Sequence, residues 1–403
     1  MNNTFFNRRN LATLFIGFLS IKFYTLFFIA GTIERMIGLT ASLVTIGIFI
    51  FHFIYFPKKE KIGKTPILFK TEFIFFMLCP FLSMLVAKYY HGQSFGLTLY
   101  MSSGMFIYLM YFLIHEWKID GRDIEKMIYI IGVGYIFIFI IQYLIYPTNI
   151  LNSRINVDRG TIRIFFPGGG FSVILYYLLV QKLLTEKFSW KLFVILLMAY
   201  AVNTFLQGTR MPILLLTSLT GLYIITGKRV KNRYFVVVSA VIMAVCLFLL
   251  FKDIFIELYN LSLKESEHTT TNPRVRAIKF FLTDFMPAKI AYFLGNGADH
   301  LSSPFGQKVA FYQIYFGLYQ SDIGLIGLYV RFGALYAIAY LSILIRGIFM
   351  RLPSNLTILR YYFIGQLATL YYSGGPGGLA IVFLVYMIEF YKNKEKMELN
   401  APT

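Results

Sequence analysis

Carboxylates are scarce in this sequence. Nineteen Asp and Glu stand against 38 Lys and Arg, and charged residues of both signs make up only 14% of 403 positions. With 58% of residues apolar and 19% aromatic, a soluble domain of this length is excluded, because so much apolar surface has no interior to enter; lipid is the solvent. No Gly-x-x-x-x-Gly-Lys-[Ser/Thr] loop occurs, which excludes a phosphate-loop nucleotide as energy source. No His-Glu-x-x-His and no clustered Cys/His pattern occurs, so no catalytic zinc is expected. No Asp-x-Asp pair is present to hold a metal-bound sugar nucleotide. The two cysteines, Cys79 and Cys246, each lie within an apolar run and read as small core residues. The stretch from Leu11 to Ala30 lacks a small-residue cleavage site and is followed at once by a second apolar run, so it is not a signal peptide.

Apolar runs fall near 11–30, 36–56, 72–88, 97–115, 127–146, 171–185, 192–206, 211–226, 234–251, 322–345, 361–373 and 379–391. They predict an all-α polytopic membrane protein of about twelve transmembrane helices. The formal charge of +19 is not a nucleic-acid signature, because the basic residues sit in short clusters between apolar runs. Dense clusters at Lys58–Lys64, Lys228–Arg233 and Lys392–Lys396 mark the cytoplasmic side and place both termini there. No internal repeat is evident. The chain reads as one transmembrane domain over 1–403, with an outer-face loop inserted at 252–321 before the tenth span. That loop is the longest polar segment, and a connection of this length signals function or disorder. Its aromatics, Phe280, Phe281, Phe285, Tyr292 and Phe293, point to a folded lid.

Three later spans are short. The runs on either side of Gln207-Gly208-Thr209-Arg210 have about fifteen residues each, roughly 22 Å of helix against roughly 30 Å of hydrocarbon. The runs around Gly374-Gly375-Pro376-Gly377-Gly378 are shorter still, and the span after Pro167-Gly168-Gly169-Gly170 is also stunted. Turns sunk on one face imply a recessed polar cavity, because irregular backbone at membrane depth needs protein or water around it. Arg210 would lie in this recess, where a phosphate could compensate its charge. Arg154, Arg159 and Arg163 share one outer loop with Asp158, and Arg163 adjoins the glycine turn; anionic lipid or a substrate diphosphate would account for them. Arg274 and Arg276 follow Pro273 and precede a helical stretch, Ala277 to Asp284. Asp299, His300 and Asp322 are the acid–base candidates. Arg331 lies inside an apolar run and should face a cavity or a carboxylate, whereas Lys22 reads equally well as structural.

The Gly-Thr-Arg turn, Gly295-Asn296-Gly297 and the segment from Gln320-Ser321-Asp322 to Arg331-Phe332-Gly333 resemble the O-antigen polymerase and O-antigen ligase family. So does the pattern of about twelve spans with a large outer loop before the tenth. The resemblance implies a GT-C-type architecture and a metal-independent, cofactor-free glycosyltransferase in the bacterial inner membrane, its active site facing the periplasm. Its substrates would be undecaprenyl-diphosphate-linked oligosaccharides as donor and acceptor, handled among membrane lipids. A chain-length regulator would be a partner, and nucleic acid would not. The family's essential outer-face arginines map onto Arg210 by its turn and onto Arg274 or Arg276, and the resemblance leaves the base unassigned. From the residues themselves, Arg210, Asp322, Asp299 and His300 are the catalytic candidates, and Arg163, Arg274, Arg276, Arg331, Arg159 and Gln320 the substrate-binding candidates. The His with which ligases open the segment at Gln320 is absent, which favours a polymerase. A ligase and a lipid-linked-oligosaccharide flippase or transporter are the alternatives.

Overall fold

The computed structural model describes residues 7–21, 42–51, 67–150, 154–158, 161–204, 206, 210–227, 230–231, 272–371 and 378–399, with single positions between 238 and 260. The second half of the first apolar run with Lys22, much of the run at 234–251, Gln207-Gly208-Thr209, Arg159 and the turn at 374–377 lie outside the described residues. The chain is mostly helical. In order it forms α1 (Arg8–Ser20), α2 (Ser42–Phe51), α3 (Lys70–Tyr89), α4 (Phe95–Glu116) and α5 (Gly121–Leu144), followed by a two-stranded hairpin of β1 (Arg154–Asp158) and β2 (Thr161–Phe165). Next come α6 (Gly169–Thr185), α7 (Trp190–Asn203), α8 (Arg210–Thr226), α9 (Pro273–Thr283), α10 (Pro304–Phe316), α11 (Gly324–Phe349), α12 (Leu359–Ala368) and α13 (Leu379–Leu399).

Four segments are long and apolar enough to cross a membrane: α3, α4, α5 and the stretch Gln320–Phe349 that contains α11. The helices α2, α6, α7 and most of α8 are apolar but shorter. At 1.5 Å per residue, the 14 residues of α7 extend about 21 Å and the 17 of α8 about 26 Å. Outward-facing Phe81, Ile130, Phe137 and Ile338 stay exposed, as expected of helices whose outer faces meet acyl chains rather than water. Residues 154–158 and 161–165 are extended rather than helical. Alternation of Ile155 and Val157, then Ile162 and Ile164, builds an antiparallel ladder with Arg154 opposite Phe165 and Asn156 opposite Arg163.

Inside the bundle, α3 packs along α11, α5 along α6, and α13 against α5. Aromatic stacking fixes the first of these layers: Phe73 lies 4.0 Å from Tyr111, and Phe76 lies 4.8 Å from Tyr108 and 5.0 Å from Tyr336. Polar side chains gather at the two ends of α3. At its start, the fully buried Glu389 carboxylate accepts from Phe69 N–H (2.9 Å) and Tyr111 O–H (2.6 Å), with His115 Nε2 2.7 Å away. One turn on, Glu72 pairs with Arg346 at 3.0 Å. A second polar cluster lies at the other end of α3, where the chain turns through residues 90–94.

The described part of the long insertion is folded. Ala277, Phe281, Phe285, Phe305, Val309, Leu318, Ile323 and Val330 form a core of its own. Asn272 caps α9 by accepting from Arg274 N–H, Pro273 occupies the first turn, and Ser303 followed by Pro304 opens α10 in the same way. Val330 belongs to α11, so this small core is seated directly on a membrane-length helix.

Candidate functional site

The site begins with a break in α11. Gly333 has φ 79° and ψ −171°, outside any helix. Gly295, after the turn Ala291–Leu294, has φ 77° and ψ 171°. Both lie in a region of backbone space that is essentially reserved for glycine. Each also lacks room for a side chain. A Cβ on Gly295 would meet Arg331 O and, at 2.5 Å, Gly333 N; one on Gly333 would meet Phe293 O and, at 2.7 Å, Gly295 N. The loop thus lies backbone to backbone on the broken helix, and it caps what the break exposes. Asn296 N–H donates to Val330 O and Gly297 N–H to Arg331 O, each at 2.8 Å. Asn296 Nδ2 adds a second donation to Val330 O at 3.0 Å. An interrupted helix is stable where its freed carbonyls find donors.

The break leaves Arg331 at the edge of the folded insertion. Arg331 Nε donates to Gln320 Oε1 at 2.7 Å, and Nη2 stands 3.7 Å from Asp299 Oδ1. Gln320 is buried, while Arg331 and Asp299 keep 31% and 18% of their side-chain surface open. Among the described residues the guanidinium therefore has one good hydrogen bond, one loose carboxylate and further N–H donors available. That arrangement suits an anion which displaces Asp299 and takes two parallel hydrogen bonds.

Beside it, the loop after α3 is tied to the loop 295–303 through Gln93. Its Nε2 donates to Thr98 Oγ1 (2.8 Å) and Ala298 O (2.7 Å), and its Oε1 accepts from His300 N–H (2.9 Å) and Ser303 O–H (2.7 Å). A fully buried amide with all four bonds made holds two loops in one register. His91, two residues earlier, stacks on Phe305 with ring centres 4.1 Å apart, and its Nε2 lies 2.8 Å from Asn296 Oδ1. Burial, opposed in part by the hydrogen bond to Asn296 and assisted by the charge of Lys308, lowers the His91 pKa below its ordinary value. The ring is therefore neutral at pH 7.

Of the residues singled out from sequence, Asp299, Gln320 and Arg331 come into direct contact. His300 is fixed by its backbone, while its ring meets Tyr100 edge-on and its Nδ1 accepts from Ser302 N–H at 3.2 Å, with Ser302 Oγ at 2.7 Å. Asp322 is exposed and accepts from Ser321 O–H. Arg274 and Arg276 are exposed on the first turns of α9 and make no side-chain bond among the described residues. Arg163 is half-buried on β2, in the hairpin that packs on α5. Arg210 begins α8, but its side chain, like the whole of Arg159, lies outside the described residues.

His91 and Gln93 escaped the sequence reading. The signal was a short polar turn, Tyr90-His91-Gly92-Gln93-Ser94, between two apolar runs; nothing local marks it, because its partners lie about two hundred positions downstream. Among the described residues no group of three His, Cys, Asp or Glu could hold a metal ion. No family model, curated protein or solved structure matches the chain.

Proposed function

We propose that this chain is a membrane glycosyltransferase that joins undecaprenyl-diphosphate-linked oligosaccharide repeat units into a surface polysaccharide. It would work on the outer face of the bacterial inner membrane, with about twelve spans and both termini inside. The observation that carries the reading is Arg331, set at a helix break beneath a folded loop, with donors to spare and a displaceable carboxylate. An acceptor sugar hydroxyl attacks the anomeric carbon of the donor. The diphosphate leaves, and Arg331 stabilises the charge that gathers on it. Such donors act most strongly when they are fixed in advance and shielded from water. The excess of basic residues, the short helices α7 and α8 with Arg210 at their junction, and the resemblance of Gly295-Asn296-Gly297 and Gln320–Gly333 to polymerase segments support the same reading. Neither a metal nor a nucleotide enters it.

A broken helix under a lid also suits a lipid-linked-oligosaccharide flippase. The test is reconstitution of the purified protein in vesicles with undecaprenyl-diphosphate-linked repeat units. The polymerase reading expects a ladder of longer glycans without any lipid A acceptor. Movement of repeat units between leaflets without bond formation would overturn it.

A further inference from the structure

The transfer needs a group to take the proton of the attacking hydroxyl, and the two histidines of these docked loops carry the same Nε2–H tautomer but differ in whether the Nδ1 lone pair is engaged. His300 Nδ1 is engaged by the Ser302 N–H, which can only donate. Its ring proton therefore sits on Nε2, and the lone pair is spent within its own turn. In His91 the same tautomer is held from the other side of the ring. Asn296 Nδ2 donates to Val330 O (3.0 Å), which turns Asn296 Oδ1 toward His91 and makes it the acceptor of the His91 Nε2–H. The His91 proton is thereby pinned on Nε2, and the Nδ1 lone pair meets no donor among the described residues. His91 as a whole is part-buried rather than sealed in the core. Asn296 links this ring to the helix break through Val330 O, one residue before Arg331.

From this geometry we infer that His91 is the general base of the transfer reaction, held in its active tautomer by Asn296. The inference rests on the glycosyltransferase reading above and assigns the role left open by it. In the step, the acceptor hydroxyl oxygen forms a bond to the anomeric carbon of the donor and its proton passes to His91 Nδ1. The bond from that carbon to the diphosphate oxygen breaks, and its electron pair leaves with the diphosphate toward Arg331. The imidazolium then returns its proton to water. A positioned base contributes on the order of a hundredfold to ten-thousandfold to such a step. The Phe305 ring and the Asn296 amide orient the imidazole as a second residue orients the base in other acid–base sites. Lys308 is the charged group facing it from α10 and disfavours a resting imidazolium.

The test uses full-length protein in vesicles, with undecaprenyl-diphosphate-linked repeat units for turnover and undecaprenyl diphosphate alone for binding. His91→Phe keeps an aromatic ring on Phe305, and His91→Ala leaves space for added imidazole. The inference expects glycan joining to fall at least about a hundredfold in both variants. Undecaprenyl diphosphate should bind within about twofold of wild type, and imidazole should restore joining to His91→Ala but not to His91→Phe. Joining by His91→Phe within threefold of wild type would overturn the assignment while leaving the glycosyltransferase reading intact. So would loss of joining that imidazole does not restore, since that marks a packing residue. A wild-type protein that joins nothing would instead overturn the parent reading.

Discussion

Gly295 and Gly333 lie face to face, each at a positive φ and each with the other's backbone where a side chain would go. The contact joins a loop to a membrane-length helix and makes the break at Gly333 a fixed feature. Backbone atoms cannot rotate aside as a side-chain tip can. Gly333→Ala is therefore expected to undock the loop at a cost of about 2–4 kcal/mol. Gly104→Ala, where nothing lies within 4 Å of the added carbon, should be silent. Thermal unfolding of the two variants in detergent, with limited proteolysis of the 295–303 loop, checks the pair.

Gln93 offers a second test of the same docking. Gln93→Leu keeps the bulk but strands the His300 N–H and the Ala298 carbonyl. Each buried group left without a partner costs about 1–3 kcal/mol. Hydrogen exchange at the His300 amide should accelerate at least about tenfold, whereas exchange in the middle of α5 should not change. Unaltered protection at His300 would mean that the loop is held by other means.

Some of this was legible in the sequence, and particular residues show why. An arginine within an apolar run is conspicuous, so Arg331 stood out, and Gln320 and Asp299 lay in polar stretches near enough to be suspected. The folded insertion was legible from Phe281 and Phe285, which now fill its core. The hairpin of 154–158 and 161–165 is encoded by the alternation of Ile155, Val157, Ile162 and Ile164, but the arginines among them mask that pattern with the signature of a charged loop. His91 was not legible at all. Its meaning comes from Asn296, 205 positions away, and no local pattern encodes a tautomer.

Asp299 and an incoming diphosphate compete for one guanidinium. Asp299→Asn removes the resident negative charge 3.7 Å from Arg331, and it is expected to tighten binding of undecaprenyl diphosphate by about threefold to tenfold at low salt. The gain should shrink at high salt, where screening is strong. Weaker binding would assign Asp299 to holding Arg331 in place.

The depressed His91 pKa makes docking of the loop sensitive to pH. Between the folded value and the ordinary value of about 6.5, the unfolded chain binds more protons than the folded one, so stability rises with pH across that window. Acidification below about 6.5 should lower the unfolding temperature in wild type. The same change should be smaller in His91→Phe, which has nothing there to protonate. Equal slopes for the two proteins would place the sensitivity elsewhere.

The most direct measurement is the glycan ladder formed in vesicles by wild type and by Arg331→Ala, each reconstituted at equal density with undecaprenyl-diphosphate-linked repeat units. Wild type should give chains of increasing length, and Arg331→Ala should give none while keeping its helical content. The same ladder from both proteins would contradict the placement of the chemistry at the α11 break.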